Sequence, residues 1–197
     1  MTFLKISDTV RAENDEEKMK KYTAAFIKET KSKKILSEVL KRGNDDWVSC
    51  IAASNPHCPP EALSEVLKRG KDDEVSRIAA ENPNCPPEAL SEVLKRGNDD
   101  WVSYYAVKNL HCPPETLSEV LKRGNDDWVS CIAAENPNCP PEALSEVLKR
   151  GKDDDVSNFA AENPNCPKKS SEMFSLLSLL KENGYTIEKV KSLIENA

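Results

Sequence analysis

Five cysteines recur at intervals of 27 residues, at Cys58, Cys85, Cys112, Cys139 and Cys166, and two more, Cys50 and Cys131, fall outside that row. Thiols in register suggest either a disulfide framework or a metal site. If each interval is one stacked helical unit, equivalent atoms lie about 8–10 Å apart, beyond the roughly 4.4–6.8 Å between Cα atoms that a disulfide spans. No Cys-x-x-Cys and no paired-His spacing occurs, so neither zinc nor an iron–sulfur cluster is expected. The five in the row therefore read as small buried hydrophobes at a turn. Cys50 and Cys131 read as the more reactive pair. An odd total of seven, with no apolar segment of signal-peptide length in residues 1–10, points to free thiols in a reducing, cytoplasmic compartment.

Other reactive residue types are no better placed for catalysis. His57 and His111 stand at a turn position that holds Asn in other copies, which suits a turn role. A catalytic histidine needs a positioned nucleophile or acid beside it, and the recurrent carboxylates are Asp pairs placed to cap helices. Neither catalytic residues nor cofactors are expected, and the chain reads as non-enzymatic. Each copy also carries a Lys-Arg pair, Lys41-Arg42, Lys68-Arg69, Lys95-Arg96, Lys122-Arg123 and Lys149-Arg150, which would suit a row of phosphates. Against that, the net charge is −6, and basic residues at a helix C-terminus are expected from the dipole alone.

The copies differ mainly at three positions of their second half. The sets are Trp47, Cys50, Ser54; Glu74, Arg77, Glu81; Trp101, Tyr104, Lys108; Trp128, Cys131, Glu135; and Asp155, Asn158, Glu162. Spacings of 3 and 4 put each set on one stripe of a helix. Trp, Glu and Asp interchange at the first position, so that position faces water. Tyr105 lies between the stripe and the core, where the other copies carry Ile or Phe. Trp, Tyr and Arg are the types that dominate binding hot spots, so these residues are the candidate contacts for a protein or peptide. Recognition of nucleic acid by one helical repeat per base is the alternative, and self-assembly of the stacked units is a third reading. Asn44, Asn98 and Asn125 accompany Trp, whereas Lys71 and Lys152 accompany Glu74 and Asp155, a spacing that allows Lys–acid ion pairs.

These positions need regular elements beneath them, and the punctuation supplies them. All 13 prolines, and five of the six glycines, fall in the periodic segment or at its exit. Pro-Pro-Glu-Ala-Leu-Ser-Glu-Val-Leu-Lys-Arg-Gly predicts a helix over Pro60 to Arg69, opened by Pro and closed by Gly70. Its apolar stripe is Leu63, Val66 and Leu67, and Glu65 is spaced to pair with Arg69. A second helix follows, capped by Asp45 or Asp46 and ended by Asn55-Pro56. Its predicted core face is Val48, Ile51, Ala52 and Asn55, flanked by Ser49 and Ala53. The fixed Asn55, Asn82, Asn109, Asn136 and Asn163 predict a row of side chains that satisfies backbone groups at the helix ends.

One such pair of short helices cannot enclose a core, so each must stack on its neighbours. The chain divides as 1–30, an N-terminal helical cap with Met19, Tyr22, Phe26 and Ile27 at helical spacing; five repeats at 31–57, 58–84, 85–111, 112–138 and 139–165; and 166–197, a C-terminal cap with helices over Ser171 to Asn183 and Ile187 to Glu195. The expected fold is an all-α solenoid. No stretch approaches the roughly 18 apolar residues of a membrane span, so no membrane partner is expected, and the chain is expected to be a monomer.

The segment Val75-Ser76-Arg77-Ile78-Ala79-Ala80-Glu81-Asn82-Pro83-Asn84-Cys85-Pro86-Pro87-Glu88-Ala89-Leu90 resembles the leucine-rich repeat variant family. Its repeats run V-x-x-x-V-A-x-N-P-x-x-P-x-x-x-L, and the match covers Leu36 to Pro167. The resemblance implies a right-handed superhelix of paired short helices, one of which can be 3₁₀, and implies no reaction. The chain departs from the family in having Ser49, Ser76, Ser103, Ser130 and Ser157 where Arg is frequent, and in a repeat longer than is common there.

Overall fold

The structure, a computed structural model, describes residues 24–152 and 154–186. Among them are twelve α-helices and no strand. Met19 and Tyr22 of the expected N-terminal cap, and the expected helix over 187–195, lie outside the described residues. The chain divides into two compact units, Met1–Pro86 and Pro87–Ala197. In the first, α1 (Ala24–Glu29) precedes the helix pairs α2 (Lys33–Lys41) with α3 (Trp47–Ser54) and α4 (Pro60–Lys68) with α5 (Glu74–Glu81). In the second, the pairs are α6 (Pro87–Lys95) with α7 (Trp101–Lys108), α8 (Pro114–Lys122) with α9 (Trp128–Glu135) and α10 (Pro141–Lys149) with α11 (Asp155–Glu162), followed by α12 (Lys168–Glu182). Both helices of every repeat are α; neither is the 3₁₀ helix that the family resemblance allows.

Within each unit the packing is that of an α-solenoid. A second helix lies on the first helix of its own repeat and on the second helix of the next, as α3 does on α2 and α5, and α9 on α8 and α11. First helices pack likewise, α2 on α4 and α8 on α10.

The helices start and stop where the chain's punctuation dictates. Pro60, Pro114 and Pro141 occupy the first helical positions, where a missing N–H costs nothing. At the other end of α2, Gly43 has φ +71° and donates its N–H to Leu40 O at 3.1 Å. That left-handed conformation favours glycine, because a Cβ would crowd the backbone. The helix over Pro60 ends at Lys68 rather than at Arg69, whose backbone closes the last turn.

Each first helix buries Leu, Val and Leu as expected, for example Leu63, Val66 and Leu67, and burying one such side chain contributes about 1.5–3 kcal/mol. Three of the five, α4, α6 and α8, also bury the residue before the first Leu, Ala62, Ala89 and Thr116, because that position faces the neighbouring first helix. In the second unit the Thr116 and Ser91 hydroxyls meet there at 2.7 Å. The second helices differ from expectation. In α5 the buried positions are Val75, Ser76, Ala79 and Ala80, so the serine and second alanine belong to the core, while Ile78 is half-buried. In α3, Ser49, Ala52 and Ala53 are buried, and Val48 and Ile51 only half-buried. A second helix with neighbours along the stack needs a wide buried face, and small residues let the backbones approach.

Candidate functional site

Three sets of side chains hold the helices in register, and they determine which groups remain for a ligand. The first is a cap. Asp46, Asp73, Asp100, Asp127 and Asp154 accept the backbone N–H of Ser49, Ser76, Ser103, Ser130 and Ser157 at 2.7–2.9 Å. The second residue of each Asp pair is therefore the one that caps. In α5 and α11 the Ser76 and Ser157 hydroxyls also donate to that carboxylate, at 2.6 Å. In these two helices the serine thus completes the cap, whereas the buried Ser49 and Ser103 hydroxyls make no such bond.

The second set is the fixed asparagines, all buried. Asn82 donates its amide to Ala53 O at 2.6 Å, Asn136 to Val107 O at 2.7 Å, and Asn163 to Ala134 O at 2.6 Å. Their side-chain oxygens accept the N–H two residues on, as Asn82 accepts from Asn84 at 2.8 Å. Asn84 and Asn138 then reach Pro56 O and Leu110 O at 2.7 and 2.6 Å. His57 and His111 replace such an Asn and donate their backbone N–H to Asn55 and Asn109, which is a turn role.

The third set alters the reading of the Lys-Arg pairs. Arg123 Nη2 donates to Leu94 O and Arg150 Nη2 to Leu121 O, each at 2.6 Å, and Arg69 makes the same bond to Leu40 O. Each of these guanidiniums closes the C-terminal end of the preceding repeat's first helix, where free carbonyls and the negative end of the dipole await a cation. Lys181 does the same at Gly151 O, at 2.9 Å. Glu65 consequently pairs with Lys68, at 3.1 Å, and not with Arg69. Nor do Lys71 and Glu74 or Lys152 and Asp155 form the ion pairs their spacing allows; Glu74 pairs with Arg77.

The variable stripe is more open at its ends than at its middle. Trp47, Trp101 and Trp128 are 73%, 54% and 69% exposed, and Glu74 and Asp155 at the same register are exposed too. Ser54, Glu81, Lys108, Glu135 and Glu162 at the far end are exposed, as is Asn158 in the middle. Cys50 and Cys131 are not: at 8% and 6% exposure they are core residues. Burial first, then the field of Asp126, Asp155, Asp127 and Asp154, pushes the Cys131 thiol up to about 11. Burial and then Asp45, Glu74, Asp46 and Asp73 raise Cys50. Reactivity follows the thiolate, so the two are inert rather than reactive. The five cysteines of the row are buried and free, as expected of small hydrophobes, and burial pushes Cys58, Cys112 and Cys139 up to about 12.

Two stripes organise around a cation. On α7, Tyr104 sits edge-on to Trp101 (5.6 Å between centroids) and to Tyr105 (5.3 Å), and Lys108 Nζ lies 5.7 Å from the Tyr104 centroid. On α5, Arg77 takes the middle position, 3.2 Å from Asp72 and 3.5 Å from Glu74. The remaining sequence candidates do not cluster in this way.

A feature the sequence does not signal lies on the other face of the second unit. An open groove of about 650 Å³ runs along the first helices, lined by Ser118, Lys122, Glu142, Ser145, Glu146 and Lys149 among others. These six residues occupy four positions of the repeat, each unchanged in every full copy, so variation between copies cannot point to the groove. Among the described residues no three His, Cys, Asp or Glu side chains form a metal site, and no helix is long and apolar enough to cross a membrane. Comparison with protein-family models, with curated proteins and with solved structures finds no match for this chain.

Proposed function

We propose that the chain is a non-enzymatic repeat scaffold that captures a protein or peptide through the variable stripe of its second helices. The observation that carries this reading is the α7 cluster, in which Trp101 stands half in solvent, braced by Tyr104 and Tyr105 with Lys108 alongside. A large aromatic side chain held in place and left exposed is the form a binding anchor takes, since little entropy remains to be lost on contact. Seven free, buried cysteines support a reducing, cytoplasmic setting, and the Val…Ala-x-Asn-Pro…Pro-Pro-Glu motif supports kinship with leucine-rich repeat variants. The engagement of Arg69, Arg123 and Arg150 on carbonyls takes those guanidiniums away from a phosphate track and disfavours nucleic acid.

The test uses peptides selected from a displayed random library on the intact chain. Their affinities are then compared for wild type and the triple variant Trp101→Ala, Tyr104→Ala, Lys108→Ala. The variant should lose about tenfold or more in affinity, with a thermal midpoint lowered by no more than about 4 °C. Selected peptides that bind the variant equally well would place recognition elsewhere, with the first-helix groove the next surface to probe. A collapse of the midpoint would make the cluster core.

A further inference from the structure

The stripe accepts cations from the chain itself at two places and leaves the equivalent place open on α9 and on α3, where Asp45, Trp47 and Cys50 repeat the α9 set but Glu74 of the adjoining helix is already paired with Arg77. On α5 the guanidinium of Arg77 is held by Asp72 from the preceding loop and by Glu74 on the first turn. On α7 the ammonium of Lys108 lies over Tyr104. On α9 the register is the same but the cation is missing. Asp126 stands where Asp72 does, Trp128 where Glu74 does, and Cys131, too short to reach out, where Arg77 does. Trp128 is 69% exposed, and Asp126 has no ion-pair partner among the described residues. Asp155, on the first turn of α11, which packs on α9, is exposed, and its charge acts with that of Asp126 on the Cys131 thiol between them in register.

We infer that the α9–α11 face of the second unit binds an arginine-bearing segment of another protein, with one guanidinium stacked on Trp128 and paired with Asp126 and Asp155. This rests on the reading of the stripe as a peptide-binding surface and names its partner's chemistry. Charge complementarity supports it. Segments 98–111, 125–138 and 152–165 together carry nine Asp and Glu against Lys108 and Lys152. A planar, weakly hydrated guanidinium suits an indole face with carboxylates beside it better than a compact ammonium does. Glu135 and Glu162, at the register of Lys108, extend the same preference along the two helices.

The experiment measures fluorescence anisotropy and tryptophan emission as labelled alternating Arg-Ser, Lys-Ser, Gln-Ser and Glu-Ser peptides of equal length are added to the full chain. The Arg-Ser peptide should bind, the Lys-Ser peptide about fivefold or more weakly, and the other two not at all. Trp128→Ala, which leaves the net charge unchanged, should cost about tenfold, and so should Cys131→Arg, which supplies the cation internally as Arg77 does on α5. Glu146→Gln, on the first-helix side, should change nothing. Circular dichroism of each variant guards against misfolding, and Trp128→Ala remains decisive if Cys131→Arg does not fold. Arg-Ser binding that survives Trp128→Ala would be diffuse attraction to an acidic protein and would overturn the inference. If the Gln-Ser or Glu-Ser peptide binds as tightly and is lost in the Trp101→Ala, Tyr104→Ala, Lys108→Ala variant, the arginine preference falls while the peptide-binding stripe stands. Selected library peptides indifferent to every stripe substitution would remove both.

Discussion

Asn82, 4% exposed, reaches back 29 residues to Ala53 O while its own oxygen takes the N–H of Asn84. Replacing it by Ala strands the buried Ala53 carbonyl and the half-buried Asn84 N–H, so Asn82→Ala should lower stability by about 2–3 kcal/mol in urea unfolding. Asn84→His removes an exposed bond and makes a substitution the chain itself carries at His57 and His111; it should cost less than about 1 kcal/mol. Equal losses would deny the buried asparagines their special role. The thiol row gives a pH prediction. Burial holds Cys139 protonated up to about 12, against an ordinary value of 9.0, so its stabilising share is whole below pH 9 and is lost as pH climbs toward 12. Over that window wild type should lose stability faster than Cys139→Ala, by at most about 1.4 kcal/mol per pH unit. Parallel pH curves would sink the assignment. The asparagines were legible because a polar residue fixed on an apolar face demands a partner. The arginines were not, because Arg123 and Leu94 meet across 29 residues and no local rule pairs a side chain with a distant carbonyl. Cys50 and Cys131 were misread for a related reason: the helical wheel puts them on the stripe, but the next second helix packs close enough to cover a short side chain there and not a Tyr or an Arg.

At the scale of the helix, Pro and Gly fixed the boundaries of the elements so firmly that sequence alone placed the first helices to within a residue. The second helices were placed by their caps, and the capping carboxylate is the part with a measurable signature. Burial alone would raise Asp46, but the Ser49 N–H at 2.7 Å, with Arg42 and Asn44 nearby, holds it below its usual 3.8. Its contribution is therefore whole above pH 3.8 and disappears as pH falls through the lower folded value. Asp46→Ala should cost about 1 kcal/mol at neutral pH, and its urea midpoint should converge on that of wild type as the solution is acidified below pH 3.8. A gap that persists undiminished in acid would mean that the carboxylate is not what holds the helix start. The width of the buried face was the part of the element that sequence did not show. A 3.6-residue period finds one apolar stripe, whereas a helix with neighbours along a stack buries two, and the second is written in Ser76 and Ala80, residues too small to register as hydrophobic signal.

For the molecule as a whole, the repeat is a statement about interchangeability that goes beyond the likeness of its copies. The ties between repeats in the second unit join groups 25–30 residues apart, and they recur with the period: Arg150 to Leu121 O repeats Arg123 to Leu94 O, and Asn163 to Ala134 O repeats Asn136 to Val107 O. If those ties and the stacked apolar faces are sufficient, excising residues 112–138 in one piece should leave a folded protein. Arg150 would then inherit Leu94 O, Asn163 would inherit Val107 O, and α11 would pack on α7 as α9 does. The shortened chain should keep its helicity per residue and unfold in one cooperative step, with an m-value lower by roughly one-seventh, in proportion to the surface removed. It should also lose Trp128 and with it the arginine-peptide binding, while peptides that depend on Trp101 are retained. Excision of a block out of phase, residues 120–146, removes the same number of residues but leaves the helix stubs 114–119 and 147–149 fused. The two deletions are alike in joining sequence that matches across the junction, because any 27-residue window of a perfect repeat restores its register; they differ only where the copies differ. Both should therefore fold, and an out-of-phase deletion that failed while the in-phase one succeeded would show that stability depends on the identity of particular repeats rather than on the period.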